Sequence, residues 1–135
     1  MSLQAFLANK SMSKKIFLDA FYGQFSSFLD QLIVTFPDDS DFPTYKTGLF
    51  LLQKTNPKLV PEQVVLHVTP FEAVLRARDD AFFKSRGFPE YADDNALDLI
   101  IQKMMEYWDV LSPENKSVIW TYVTLLLDLA KRYTQ

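Results

Sequence analysis

The stretch over residues 13–36 constrains the fold more than any other part of the chain. Large apolar side chains recur there at steps of three and four residues: Ile16, Phe17, Phe21, Phe25, Phe28, Leu29, Leu32, Ile33 and Phe36. Because an α-helix turns once in about 3.6 residues, this spacing places one wide apolar stripe on one helix face. At about 1.5 Å per residue, such a helix spans a small domain. We therefore predict a long central helix on which the other helices pack.

Length and composition indicate a globular chain with its own core. The chain has 135 residues, of which 48% are hydrophobic, 15% aromatic and 23% charged, which argues against disorder. Phenylalanine occurs 12 times and glycine 3 times, and scarce glycine favours helices joined by short connections. We predict a single helical domain over residues 1–135, with residues 1–10 forming a short N-terminal helical arm.

Prolines divide the middle of the chain into further helices. Pro37 ends the long helix, and a second helix is predicted from Pro43 to about Thr55. Its predicted core residues are Tyr45, Leu49, Phe50 and Leu52. Pro61 lies in the first turn of a third helix. At Thr69-Pro70 that helix either kinks or gives way to a new helix that runs to about Lys84.

Two more helices are predicted in the C-terminal part. One covers residues 95–111, where apolar side chains recur at helical spacing. The other begins at Ser112-Pro113-Glu114, which combines an N-cap, a proline at the first helical position and an acid in the first turn. No segment shows the alternating pattern of a partner strand. The sequence predicts an all-α bundle of about five to seven helices around the long helix.

Charge and cysteine content limit the classes of partner. The net charge is −3, and no long Lys/Arg run is present, so general polyanion binding is disfavoured. The absence of cysteine removes disulfides and thiolate sites and suits a reducing compartment. No stretch approaches about 18 consecutive apolar residues, and the N-terminus makes a poor signal peptide. We expect an intracellular, soluble protein, cytoplasmic or nuclear.

Enzyme chemistry is poorly provided for. His67 is the single histidine, and no serine lies in a Gly-x-Ser-x-Gly setting. The glycines lie far apart and form no phosphate-binding loop. The acidic loop with Asp38, Asp39 and Asp41 lacks the glycine and glutamate of a calcium loop, and helix capping explains it better. We predict no enzymatic activity, cofactor, metal or small-molecule substrate.

The excess of aromatic side chains suggests a protein partner or self-association. Phe82-Phe83, Tyr107-Trp108 and Trp120 with Tyr122 are close pairs that one narrow helix face does not bury together. At least one member of each pair is expected at the edge of the core. Exposed aromatics are typical of interfaces, and the candidate partner-binding residues are Phe83, Tyr107, Trp108 and Trp120. A wide core face shared between neighbouring helices is the competing interpretation.

A local basic patch gives an alternative function. Arg76, Arg78, Lys84 and Arg86 lie near predicted helix ends, close to Phe82 and Phe83. Cations beside aromatic rings are typical of surfaces that bind single-stranded nucleic acid. The alternative prediction is a nucleic-acid-associated regulatory protein. A solvated rim of basic side chains around a buried Phe82 explains the same pattern.

The C-terminal half resembles a group of viral proteins. The string from Trp108 to Lys131, WDVLSPENKSVIWTYVTLLLDLAK, is similar to small uncharacterised helical proteins of large nucleocytoplasmic DNA viruses of eukaryotes. The segments Phe36–Phe42 and Asp79–Phe83 resemble other recurrent pieces of these proteins, so the resemblance covers about residues 25–131. It implies no activity and no catalytic residues. It implies a virus-encoded accessory role in the infected cell, as a virion component or a host-interaction factor.

Overall fold

The computed structural model describes residues 2–84 and 96–135, without the side chains of residues 5–12, 84, 96 and 97. Within these ranges the chain forms seven α-helices and two 3₁₀ turns and no strand, which confirms the predicted all-α bundle. The α-helices are α1 (Leu3–Thr35), α2 (Asp41–Thr55), α3 (Leu59–Val68), α4 (Glu72–Arg76), α5 (Ala81–Lys84), α6 (Ala96–Tyr107) and α7 (Pro113–Thr134). The 3₁₀ turns are Thr69–Phe71 and Trp108–Val110.

Helix α1 is the long helix that the apolar stripe predicts. It packs mainly against α7 and α2, while α3 packs against α7. The stripe is buried at Phe21, Phe25, Phe28, Leu29 and Leu32. Ile16, by contrast, is 62% exposed. The expected arm over residues 1–10 is helical from Leu3 onward and continuous with the long helix, since no proline or glycine interrupts residues 3–22.

Local sequence signals set several helix ends. Ser112 Oγ accepts a hydrogen bond from the backbone N–H of Asn115 at 3.1 Å, which confirms the predicted N-cap of α7. Asp39 Oδ1 accepts from the N–H of Asp41 at 2.9 Å at the start of α2. Asp79 Oδ1 accepts in the same way from the N–H of Ala81 at the start of α5. Each of these carboxylates accepts from the N–H two residues ahead at the start of a helix, where negative charge is favourable.

The segment after Pro70 differs most from the prediction. In place of one helix to Lys84, the chain forms the 3₁₀ turn at Thr69–Phe71, the five-residue α4 and the four-residue α5. Helix α4 ends because Arg78 adopts a left-handed backbone conformation, with φ of 51°. Glycine usually occupies such a position, and its absence here left the sequence without a stop signal. The expectation of a continuous helix was wrong for this reason.

Candidate interaction surfaces

Three of the four candidate partner-binding residues lie in the core. Phe83, Trp108 and Trp120 are 2%, 0% and 4% exposed. Their rings form one cluster, with centroid distances of 4.4 Å for Phe83–Trp108 and 5.2 Å for Trp108–Trp120. Phe82 is buried as well, at 2%, so the expectation that one member of the Phe82-Phe83 pair lies at the core edge was wrong. These rings pack on one another and hold α5, the second 3₁₀ turn and α7 together. Because they are buried, they offer no surface to a partner.

The fourth candidate partner-binding residue, Tyr107, is half-buried in a polar cluster between α6 and the α1–α2 loop. Its ring stacks on Phe36 at a centroid distance of 4.1 Å. Its hydroxyl donates to Asp39 Oδ2 at 2.5 Å, and Lys103 Nζ donates to the same oxygen at 3.0 Å. Lys103 also pairs with Asp41 at 2.8 Å. Tyr107 therefore fixes the loop against α6 and presents little free ring surface.

The electrostatics of this cluster do not favour acid–base or nucleophilic chemistry. Hydrogen bonding from Tyr107, with further donation from the N–H of Asp41 and from Lys103, lowers the pKa of Asp39. Hydrogen bonding to Asp41 and Asp39 raises the pKa of Lys103, and bonding to Asp39 raises the pKa of Tyr107. A carboxylate of lowered pKa is a weak base, and a lysine of raised pKa is a weak nucleophile near neutral pH. The cluster is suited to a structural role, in which it holds α6 against the α1–α2 loop.

The predicted basic residues separate into different environments. Arg76 Nε pairs with Glu72 at 2.8 Å, and Arg76 Nη2 pairs with Asp128 of α7 at 2.5 Å. Lys131 pairs with the other carboxylate oxygen of Glu72. The charge of Arg76 is thus compensated within a network that docks α4 on α7. The side chain of Lys84 and the whole of Arg86 lie outside the described residues.

Arg78 occupies a different setting at the end of α4. The N–H of Arg78 donates to the Leu75 carbonyl at 3.0 Å, and the N–H of Asp79 donates to the Val74 carbonyl at 3.1 Å, a Schellman motif with arginine in the glycine position. The guanidinium donates to Ser117 Oγ at 3.0 Å and to Thr121 Oγ1 at 3.2 Å. Within the described residues no carboxylate pairs with Arg78. These neutral hydroxyls position its charge without neutralising it.

The largest exposed aromatic surface among the described residues lies on α2. Phe50 and Leu51 are 55% and 54% exposed, and Lys54 Nζ lies 4.9 Å from the centroid of the Phe50 ring. Phe50 borders a shallow groove between α1 and α2, which we call the α2 surface; it is lined by Tyr22, Ser26, Lys46, Thr47, Leu49, Phe50 and Gln53. The prediction that Phe50 is a core residue was wrong. The sequence does carry a signal of this exposure: residues 49–52 are four consecutive apolar residues, and one helix face does not bury all of them.

A second groove runs between α1 and α7. It is lined by Gln24 and Gln31 of α1 and by Ser117, Val118, Thr121, Tyr122 and Leu125 of α7. We call it the α1–α7 groove. Arg78 lies at its edge, because its two hydroxyl partners are lining residues.

The described residues form neither a metal site nor a catalytic group around the single histidine. His67 Nε2 shares a hydrogen bond with Gln63 Oε1 at 2.7 Å, one helical turn away. No group of three or more His, Cys, Asp or Glu side chains is placed to hold a metal ion within residues 2–84 and 96–135. Over the same residues, no helix is long and apolar enough to cross a membrane. No known protein family, curated protein or solved structure matches this chain.

Proposed function

We propose that the protein is a non-enzymatic structural or interaction protein that binds a protein partner through the α2 surface. The observation that carries this proposal is the exposure of Phe50, which lines the α2 surface, and of its neighbour Leu51, which adds apolar area beside it; each residue is more than half exposed. Aromatic side chains are enriched among residues that dominate binding energy. Fully burying one large apolar side chain contributes about 1.5–3 kcal/mol, and half of that remains available at each position.

The surroundings of Phe50 indicate the chemistry of the partner. Lys46 and Lys54 lie one helical turn before and after Phe50, so an apolar centre is flanked by two cations. Lys46 is ion-paired to Asp30 at 2.5 Å, while Lys54 lies over the Phe50 ring. Because Asp30 already compensates Lys46, a partner with an apolar patch and a carboxylate placed to meet Lys54 fits this arrangement, since charge complementarity at a rim favours association.

The polar cluster around Asp39 supports a non-enzymatic role. Its carboxylate accepts three hydrogen bonds, and its neighbours Lys103 and Tyr107 hold their protons more tightly than usual. The hydrogen bonds and ion pair that cause these pKa shifts hold each group in its present protonation state, which works against proton transfer near neutral pH. The resemblance to helical proteins of large DNA viruses adds the proposal that the chain acts as a virion component or a host-interaction factor in an infected cell.

A nucleic-acid-associated role remains the alternative proposal. Of its four predicted residues, Arg76 is compensated by two carboxylates, whereas Arg78 is not. Of the two residues whose side chains the structure describes, only Arg78 is available for phosphate contacts, and one such cation supports a low affinity. This alternative predicts salt-sensitive binding to single- or double-stranded probes that Arg78→Gln weakens and Phe50→Ser leaves unchanged.

The proposal is tested by affinity purification from a nuclease-treated native extract with quantitative mass spectrometry. The wild type is compared with the double variant Phe50→Ser/Leu51→Ser and with Leu66→Ser, which changes a 65% exposed leucine on α3. We expect a stoichiometric protein partner that the double variant loses at least tenfold and Leu66→Ser retains. Equal recovery by all three proteins, or a partner lost on nuclease treatment, contradicts the proposal. Circular dichroism and thermal unfolding establish that the variants are folded.

A further inference from the structure

The walls of the α1–α7 groove repeat with the period of a helix. Gln24 and Gln31 are seven residues apart on α1, and Val118, Thr121 and Leu125 follow at three and four residues on α7. Each wall therefore presents side chains over about two helical turns, or about 10 Å. Side chains of a third helix fit between such rows, as they do in bundles and in grooves that bind helical peptides.

The lining of the groove suits an amphipathic occupant. Tyr122 is half-buried with its ring stacked on Phe28 at 5.2 Å, and Val118 is 37% exposed. Gln24 and Gln31 on one side and Ser117 and Thr121 on the other add uncharged polar groups. Apolar contacts at the centre with polar groups beside them are the pattern of a reversible interface.

Arg78 places a positive charge at the edge of this uncharged lining. Its left-handed backbone conformation, with φ of 51°, is unfavourable for a residue with a Cβ atom, and glycine avoids most of that cost. The same conformation is accompanied by donation from the guanidinium to two lining hydroxyls. The charge is thus held in place before any partner arrives, which reduces the entropy lost on binding. A carboxylate is the group that matches a positioned guanidinium best.

We propose that the α1–α7 groove binds an amphipathic helix of a partner protein, one of whose acidic side chains pairs with Arg78. This site is separate from the α2 surface and rests on different residues. The helix places apolar side chains between Val118 and Leu125 and its carboxylate at the Arg78 end. Arg78 retains further N–H donors for it, since a guanidinium has five and two are used by the hydroxyls.

The test uses a displayed library of helix-forming peptides with randomised side chains, selected on the intact protein. We expect enriched peptides with apolar residues three and four apart and an acid near one end. Binding of the best fluorescein-labelled peptide is then measured by fluorescence polarisation. Arg78→Glu weakens it at least tenfold, and replacing the peptide acid by lysine restores binding to that variant. Val118→Glu abolishes binding, whereas Phe50→Ser leaves it unchanged.

Four outcomes of the peptide experiment overturn this inference, and so does a fifth from sedimentation, a dimer formed through the groove. The four are the absence of any enriched peptide, enrichment without an acid, unchanged affinity for Arg78→Glu, and loss of affinity in Phe50→Ser, which assigns the peptide to the α2 surface. Sedimentation of the protein alone tests another occupant. A dimer that Val118→Glu dissociates shows that a second copy fills the groove. Thermal unfolding of each variant separates loss of binding from loss of fold.

Discussion

The hydroxyl of Tyr107 donates to Oδ2 of Asp39 across 2.5 Å and 68 residues of chain. This bond ties the end of α6 to the loop that begins α2. The acceptor is a carboxylate that is 10% exposed and also bound by Lys103. Hydrogen bonds to charged groups contribute more to stability than bonds between neutral groups. The contact therefore accounts for the position of Tyr107 without a partner.

Tyr107→Phe is expected to lower the free energy of unfolding by about 2 kcal/mol, because it removes the donor and leaves the carboxylate short of a partner. Tyr122→Phe is the matched control. Tyr122 is also half-buried and stacked, on Phe28, but its hydroxyl makes no hydrogen bond within the described residues. Urea unfolding measures both variants. Equal destabilisation of the two would contradict this account.

The stability that Asp39 contributes should depend on pH. Its pKa in the folded protein is lowered from the usual 3.8, mainly by the bond from Tyr107. A carboxyl with a lowered folded pKa stabilises the protein above its unfolded pKa, and this contribution disappears as pH falls through the folded pKa. Asp39→Asn should therefore be less stable than the wild type at pH 7. The difference should shrink as pH drops below about 4, where Asp39 of the unfolded chain begins to protonate, and should vanish once the folded protein is protonated as well.

Thermal unfolding of wild type and Asp39→Asn between pH 2 and pH 7 measures this difference. Asp38→Asn serves as a control, since Asp38 is an exposed neighbour in the same loop. A stability difference that is constant over this range would show that Asp39 does not act through its ionised form.

The sequence predicted those elements whose signals are local. The stripe of α1 and the Ser112 cap of α7 depend on side chains within one helix, and both are present in the structure. The exposure of Phe50 and the burial of Phe83 depend on which helix lies opposite, which no single segment encodes. Arg78 was foreseen as a basic residue, but not as the residue that ends α4. Its left-handed conformation has no sequence signal when glycine is absent.

Arg78 provides a test that separates backbone strain from side-chain contacts. Arg78→Ala and Arg78→Gly both remove the hydrogen bonds to Ser117 and Thr121. Alanine retains the left-handed strain at φ of 51°, whereas glycine relieves it. We expect Arg78→Gly to be more stable than Arg78→Ala by about 1 kcal/mol in denaturant unfolding. If alanine is the more stable of the two, the Schellman end of α4 is not maintained in solution.

Tyr22 should ionise late in an alkaline titration. It is buried, and its hydroxyl donates to the Pro57 carbonyl at 2.6 Å, joining α1 to the α2–α3 connection. Burial, with a smaller effect of Tyr133, raises its pKa to about 12. A raised folded pKa means that its contribution to stability is complete below the unfolded value near 10 and is lost as pH rises through 12.

Ultraviolet absorbance at 295 nm during alkaline titration follows tyrosinate formation. Tyr22→Phe should remove the late part of the curve and lower the free energy of unfolding at pH 7 by about 1 kcal/mol. A variant whose late titration is unchanged would assign the high pKa to another tyrosine.

Truncating a core aromatic side chain should destabilise the protein much more than truncating an exposed one. Trp108→Ala is expected to cost about 3–5 kcal/mol, since it opens a cavity at a fully buried position. Phe50→Ser at a 55% exposed position should change stability by no more than about 0.5 kcal/mol. Chemical unfolding followed by far-ultraviolet circular dichroism compares the two. Similar losses would mean that Phe50 is packed against the protein in solution.

The aromatic cluster also gives the protein a built-in optical reporter. The chain has two tryptophans, and both lie in that cluster, with ring centroids 5.2 Å apart. Intrinsic tryptophan emission therefore arises from a single location, in which each indole is shielded from water. Its wavelength should shift when the bundle opens. Ligands docked at the α2 surface or in the α1–α7 groove do not touch either indole, so emission and binding can be followed independently in one sample.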